Sequence, residues 1–434
     1  MAKKQNWQEK FQSFRKQTLF GLLPETEQQF LRELYYQFHF SFQEFRQITE
    51  AARDFEMWEI TPLSKWVRQE ILPSLEQAQG RTLREKFFTV FQNRLTELKA
   101  RPKSYKNFHG SVPKKLNPTK LVDQKTDKNV FGWCPVASEK TVCCNLRTID
   151  AVETCGYGCS YCTIQTFYSD RVVFDPDLKQ KLENIPIDPQ RLIHVCTGQS
   201  SDSLLWGNRN GMLDDLFDFA RQHPNVLLEF KTKSANIGYF LEHEIPPNIV
   251  CTWSLNPQII IDNEEHFTVS LAKRLEAAQK IAQRGVKIGF HFHPMIYYDE
   301  WKQAYSEIAK KIMNLFNPQS ILFISFGSVT LIRPVIKQIR KKGFKTRILQ
   351  MELAPDPHGK WTYPDAIKIE MFKTMHQAFA PWHQKVFFYL CMEKAEIWRQ
   401  SFGYVYPKNE RFEEALLKSS FEKIGFPQGI ERIV

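Results

Sequence analysis

The sequence lacks any run of about 18 or more apolar residues, the length a helix needs to cross a bilayer, and its longest greasy stretch, 386–392, is far too short. Its first residues, Met-Ala-Lys-Lys-Gln-Asn, run into charged sequence with no apolar h-region of the kind a secretory signal carries. Neither a membrane span nor export is expected, and the reading is a cytoplasmic, soluble protein. A disulfide framework is also missing: the nine cysteines are an odd number in a large chain without an export signal, and reducing cytosol keeps thiols unbridged. What the chain does have is core material. At 42% hydrophobic and 25% charged residues it is an ordinary globular mixture, not a disordered one. Its 434 residues suggest about three domains at roughly 150 each, or fewer if one is a barrel.

Charge is unevenly spread. Lys and Arg total 59 against 48 Asp and Glu, a net +11. Between Arg101 and Val130 stand Arg101, Lys103, Lys106, Lys114, Lys115, Lys120, Lys125 and Lys128 against only Asp123 and Asp127. A second basic run, Arg333, Lys337, Arg340, Lys341, Lys342, Lys345 and Arg347, contains no acid. Each could be a solvated linker or helix face; together they tilt toward a polyanion partner such as nucleic acid.

Six of the cysteines are scattered, and a buried structural role is the default for such residues. Cys155-Gly156-Tyr157-Gly158-Cys159-Ser160-Tyr161-Cys162 is different, spacing three thiols as CxxxCxxC. Structural zinc wants four closed ligands, and no second CxxC or CxxH lies nearby. An iron–sulfur cube bound by three thiolates keeps one iron open, and Gly156 and Gly158 let the backbone curl round a bulky group without Cβ clashes. Cys134, Cys143 and Cys144 lie before the first strand, where a second cluster is a lesser alternative because adjacent cysteines serve one cube poorly.

Short β-branched and aromatic runs at 145–152, 191–196, 226–231, 248–254, 287–293 and 320–325 read as six strands. Helical periodicity separates them, as in Leu271, Leu275, Ala278 and Ile281 before Gly285. In parallel α/β folds reactive groups gather at the carboxyl ends of strands. There the sequence places Cys196-Thr197-Gly198, Lys231-Thr232-Lys233-Ser234, Trp253-Ser254-Leu255-Asn256, His291-Phe292-His293 and Ser325-Phe326-Gly327. His291 and His293 share one strand face and could be a metal pair, though core or DNA-facing roles suit them better without a third ligand.

The cysteine loop resembles the signature of the radical S-adenosylmethionine enzymes. Taken with Thr163-Ile164-Gln165-Thr166, the 196–204 segment, Lys231–Ser234, 253–257, 274–278, 289–294 and 389–393, the chain resembles the spore photoproduct lyase family of that superfamily. The resemblance implies an α/β fold: a partial parallel (β/α)6 TIM-type barrel at 145–330, with a C-terminal α/β extension at 331–434 closing the barrel. Outside the resemblance, helical periodicity marks a helical domain at 1–100 and the charge run a basic linker at 101–144. It implies a 4Fe-4S cluster on Cys155, Cys159 and Cys162, and S-adenosylmethionine held by Lys233, Ser254, Gly198 and Asp202. The implied reaction is light-independent repair of 5-thyminyl-5,6-dihydrothymine in DNA by adenosyl-radical hydrogen abstraction from C6. Cys196 stands where the family places its hydrogen-donating thiol, and Tyr161 where it places a relay tyrosine. DNA carrying a damaged thymine pair and a reductant such as flavodoxin or ferredoxin are the implied partners, and a basic run after the barrel would grip DNA.

Two positions depart from the family pattern. Thr163 follows the third cysteine where a second tyrosine is common, and His293 replaces an expected acid. Cys196 also reads as a small buried hydrophobe closing a strand. A radical enzyme acting on another nucleic-acid substrate, and a non-catalytic iron–sulfur redox sensor that binds nucleic acid, stay open. Oligomeric state is not set by the sequence. In the first hundred residues, Phe38, Phe40, Phe42, Phe45, Trp58 and Trp66 read as core rather than base-stacking platforms.

Overall fold

The computed structural model describes residues 7–75, 80–111, 120–134, 140–167 and 169–428. Lys114 and Lys115 of the first basic stretch lie outside them. The chain divides into two compact units, residues 1–113 with 333–352, and residues 114–332 with 353–434.

The first unit is helical, with helices Trp7–Gln17, Glu25–Phe38, Phe42–Met57, Gly80–Ala100 and Arg333–Lys342. Ser41 begins the third by a reciprocal capping box with Glu44, satisfying two otherwise orphaned amides. Phe38, Phe40, Phe45 and Trp58 are buried, as their helical spacing implies, and edge-to-face rings such as Phe11 on Phe20 fill the centre. The helix Arg333–Lys342, expected in the C-terminal extension, belongs here instead. Arg340 forks onto Asp54 at 2.7 Å through both Nε and Nη2, and reaches Glu50 at 2.8 Å through Nη1. Arg347 donates to the Ser104 carbonyl, and Lys345 pairs with Glu59. The 347–352 stretch forms turns rather than a strand, its Ile348, Leu349 and Met351 buried without pairing.

The second unit is the partial barrel. Its main sheet comprises β1 (Phe131–Trp133), β2 (Arg147–Ile149), β3 (Ile193–Thr197), β4 (Val226–Thr232), β5 (Ile249–Ser254), β6 (Lys287–Met295), β7 (Ile321–Ser328) and β8 (Phe387–Leu390). The strands lie side by side in chain order. All neighbours are parallel except β1, which runs antiparallel to β2. The six expected strands are present, and β8 adds a seventh parallel one through Phe387–Leu390 against Phe323–Phe326. The supposed linker contributes β1 and a strand, Lys120–Asp123, parallel to Arg171–Phe174. Lys125 and Lys128 pair with Asp177 and Glu153 at 2.9 and 2.6 Å.

Side chains alternate between the two faces of each strand. One face carries Val195, Leu228, Phe230, Trp253, Phe290, Phe292 and Phe326, all buried. The other carries a polar series with period two: His194 and Cys196, Glu229 and Lys231, Thr252 and Ser254, His291 and His293, then Ser325. Register aligns Cys196 with Glu229, Ser254 with His291, and His291 with Ser325. The polar face is therefore one continuous surface, the interior of the barrel. No helix among the described residues is long and apolar enough to cross a membrane.

Candidate active site

The cysteine loop follows β2 and is held by an unexpected partner. Its two-residue strand Gly158–Cys159 pairs antiparallel with Glu265–His266, placing Glu265 opposite Cys159. The Ser160 amide donates to the Glu264 carbonyl at 2.9 Å, and the Ser160 hydroxyl to the Glu264 carboxylate. Gln165 Nε2 donates back to the carbonyls of Ser160 and Cys162 at 3.1 and 2.9 Å. A Cβ on Gly156 would lie 2.8 Å from Leu205 Cδ2 and 3.0 Å from the Trp206 ring, so a side chain there would have to displace both.

Tyr161 is buried with its hydroxyl on Glu265, whose other oxygen meets Arg274 Nη2 at 2.6 Å. Asn256 Nδ2 also donates to Glu265, at 2.7 Å. Arg274 is fully buried and also donates to the Ser254 carbonyl at 2.8 Å, the Val269 carbonyl at 3.0 Å and the Thr268 hydroxyl at 2.7 Å. Arg274, then Lys233, outweigh the cost of burying Glu265 and bring its carboxyl down to about 2. Burial and the adjacent Glu265 push the Tyr161 phenol far up, so it stays protonated.

Asp202 is a buried brace. Its Oδ2 accepts the Lys233 amide at 2.7 Å, and its Oδ1 accepts the Thr232 hydroxyl at 2.7 Å and the amides of Leu204 and Leu205 at 3.1 and 3.0 Å. It thus ties the loop after β3 to the end of β4. Gly198 sits in the left-handed region at φ +87°, where a Cβ would collide with the Ser203 hydroxyl, so the turn itself requires glycine. Lys233 and Ser254 lie at the ends of β4 and β5, and Ser254 is buried.

Burial raises the Cys155 thiol to about 12 and Cys159 higher still. Cys162 adds to both shifts, while the Lys233 ammonium counters that of Cys159. The three thiols therefore share one electrostatic site, with Lys233 facing it. Thiols that burial keeps from ionising, as at Cys155 and Cys159, suit a centre that supplies positive charge, which an iron–sulfur cluster does. The tight glycine and the donor set fit such a group. Among the described residues no three His, Cys, Asp or Glu side chains converge on a site for a single metal ion. His291 is bound into the barrel interior by Glu229 at 2.6 Å, and the His293 ring lies against Gly327. Cys143 and Cys144 are hydrogen-bonded to each other, with Cys134 and Cys391 in electrostatic range.

Beside the loop opens a cavity of about 320 Å³ whose walls include Lys128, Asp150, Thr154, Ile164, Phe167 and Ser200. Phe167 is 79% exposed at its rim.

A family model described as Spore photoproduct lyase matches residues 149–378, more than half of the chain. The chain belongs to the spore photoproduct lyase family. The chain is 26% identical to the spore photoproduct lyase of Clostridium acetobutylicum over 178 residues, 40% of the chain and 53% of that protein. It is 23% identical to that of a Geobacillus strain over 237 residues, 51% of the chain and 69% of that protein. It thus spans about half the length of the Clostridium relative. A solved spore photoproduct lyase double mutant with bound AdoMet and dinucleoside spore photoproduct superposes with a TM-score of 0.54 at 19% identity. That match covers 66% of the chain and 88% of the solved one. Another, complexed with dinucleoside spore photoproduct, gives 0.52 at 18%, over 66% and 88%. At these identities the likeness establishes the shared fold.

The family's cysteine loop was legible from spacing alone. Glu264, Glu265 and Glu229 were missed. Their signals are weak: an acidic pair in a loop, and one acid at an inward-facing position of an otherwise apolar strand.

Proposed function

We propose that the protein is a radical S-adenosylmethionine lyase that repairs 5-thyminyl-5,6-dihydrothymine in DNA. The observation that carries this reading is the CxxxCxxC loop following β2 of a barrel whose polar face buries Cys196, in a chain whose family model is that of spore photoproduct lyase. Cys155, Cys159 and Cys162 would hold a 4Fe-4S cluster, and Lys233, Ser254, Gly198 and Asp202 the cosubstrate. When bound, these groups supply an adenosyl radical, the species that removes a hydrogen atom from C6 of the lesion. Asp202 fixes the Lys233 backbone, and the Lys233 charge favours an ionised Cys159. Tyr161 is assigned the relay, its phenol kept neutral by burial and Glu265.

Cys196 returns the hydrogen atom. Its sulfur lies in the interior face, 4% exposed, with its S–H directed at the Thr197 carbonyl, 3.0 Å away. Water is excluded there, so a thymine radical meets the thiol rather than solvent. The cavity beside the loop, with Phe167 at its rim, offers an aromatic face to an extruded base. A reductant of the flavodoxin or ferredoxin class is the partner this chemistry needs, and the cell interior is the compartment that suits it.

The test is anaerobic turnover of cluster-loaded protein with dithionite, S-adenosylmethionine and an oligonucleotide containing the lesion, followed by mass spectrometry. Restored thymines are expected despite Thr163, with cosubstrate cleavage lost in Cys155→Ala, Cys159→Ala or Cys162→Ala. Cosubstrate cleavage without thymine recovery would move the enzyme to another nucleic-acid substrate; no cleavage at all would favour the redox-sensor reading.

A further inference from the structure

A buried acid lies directly beside the candidate donor thiol, and the lyase reading leaves it without a task. Glu229 stands opposite Cys196 in the β3–β4 register, on the same interior face. It is 1% exposed, and nothing at the protein surface explains a carboxylate there. Three side chains converge on it. His194 Nε2 is 2.8 Å from Oε2, while His291 Nε2 and the Thr252 hydroxyl each reach Oε1 at 2.6 Å. Cys196 stands beside it across the strand gap, its S–H directed at the Thr197 carbonyl at 3.0 Å. Behind His291, Ser325 Oγ meets Nδ1 at 2.5 Å and extends the chain to Tyr389.

The protonation states follow from the geometry. A carboxylate only accepts, so each histidine presents Nε2–H to Glu229 and the Ser325 hydroxyl donates to His291 Nδ1. Burial and then Lys231 lower His291 to about 4, so near neutral pH it is an uncharged donor. Burial opposes an ionised Glu229, but the ring N–H groups of His291 and His194 aimed at it favour the carboxylate and hold it below the usual range. Cys196 therefore faces a fixed negative charge across a strand gap.

A hydrogen-atom donor must keep its proton. In the return step the S–H bond breaks homolytically, a C–H bond forms on the thymine radical and a thiyl radical stays on Cys196; a thiolate has no hydrogen to give. Resting on the lyase reading for its purpose, we propose that Glu229, braced by His194 and His291, is a positioning residue whose negative charge beside Cys196 keeps the sulfur protonated and so a hydrogen donor. The charged and titratable groups facing Cys196 are Glu229 and Lys231 on β4 and Cys134 after β1. Behind these stand His291 and His293 on β6 and Cys391 after β8, each acting on or acted on by Lys231. Lys231 is the only cation in that set, and it works against the thiol. Burial and the Glu229 charge prevail, leaving Cys196 far above an ordinary thiol.

The test reads the thiol itself. Infrared difference spectra of cluster-loaded protein, wild type minus Cys196→Ser, isolate the Cys196 S–H stretch and are followed with pH, without lesion or cosubstrate. The wild-type band should persist beyond about pH 10, well past the roughly 8.5 of an ordinary thiol. In Glu229→Gln, which keeps shape and removes charge, the band should vanish at least about one pH unit earlier, a tenfold change in the proton equilibrium, and Glu229→Asp should restore it. A wild-type band lost by about pH 8, or an unmoved midpoint in folded Glu229→Gln, overturns the proposal. The wild-type titration stands even if the variant does not fold. Because no lesion is present, failure of DNA repair with these spectra as expected would refute the lyase reading alone.

Discussion

Replacing Arg274 by Met should release the cysteine loop. Arg274 and Glu265 form an ion pair with both side chains fully buried, and Glu265 is also the residue on which Tyr161, Asn256 and the strand pairing with Cys159 converge. Removing one partner of a buried ion pair leaves the other charge uncompensated and costs about 3–5 kcal/mol. At about 2.1 cal/mol/K per residue over roughly 300 residues, each kcal/mol lowers the midpoint by about 1.6 °C, so the barrel transition should fall by roughly 5–8 °C. The pH dependence has a definite sign. In the wild type Glu265 is depressed to about 2, so its contribution is complete above the ordinary carboxylate range and is lost as pH falls toward 2. In Arg274→Met the desolvated carboxyl titrates above its unfolded value, so the deficit is greatest near neutral pH and shrinks as acid protonates it. Adding Glu265→Gln should recover most of the loss, since a neutral pair leaves no buried charge. Calorimetry from about pH 4 to 8 with iron content per chain after desalting is the assay. A deficit under about 1 kcal/mol at neutral pH, or no recovery in the double variant, would refute the view that this pair anchors the loop.

Cys196→Ala should leave cosubstrate cleavage within about twofold of wild type while the thymine radical goes to side products, seen by mass spectrometry; an unchanged product profile removes Cys196 from the donor role. Asp202→Asn sets an amide group against four donors and should weaken S-adenosylmethionine binding about tenfold or more by calorimetry, given about 1–3 kcal/mol per buried unmatched group. Arg340→Met should cost the helical unit about 3–5 kcal/mol while leaving the salt slope of DNA binding unchanged. If the exposed Lys337 and Lys341 touch phosphates, neutralising both lowers that slope by about 1.8. A slope lowered by Arg340→Met would place its guanidinium on DNA rather than on Asp54.

The parallel strands were readable because burial on both faces makes them near-continuous apolar runs, as in 226–230 and 321–324. The cysteine loop was readable because its spacing is local. What escaped was non-local. β8 pairs with β7 across some sixty residues, and its Phe-Phe-Tyr-Leu run alone does not say which sheet it joins. The pairing of Glu265 with Cys159 is two residues long, too short for any periodicity. The basic run at 333–347 was read as a DNA grip because charge in sequence does not disclose a carboxylate 286 residues away, where Arg340 meets Asp54. Glu229 and His291 carried a usable signal, since polar side chains at every second position of an apolar strand mark an inward face. The family resemblance supplied roles for Cys196, Lys233 and Ser254, and the geometry adds what surrounds them.

Isotope transfer tests the central claim most directly. An oligonucleotide carrying 5-thyminyl-5,6-dihydrothymine with deuterium at the C6 position that loses its hydrogen is given to the cluster-loaded, reduced protein with S-adenosylmethionine. The account predicts one deuterium in the 5′-deoxyadenosine formed, together with repaired thymines. Unlabelled 5′-deoxyadenosine with the lesion intact would contradict it.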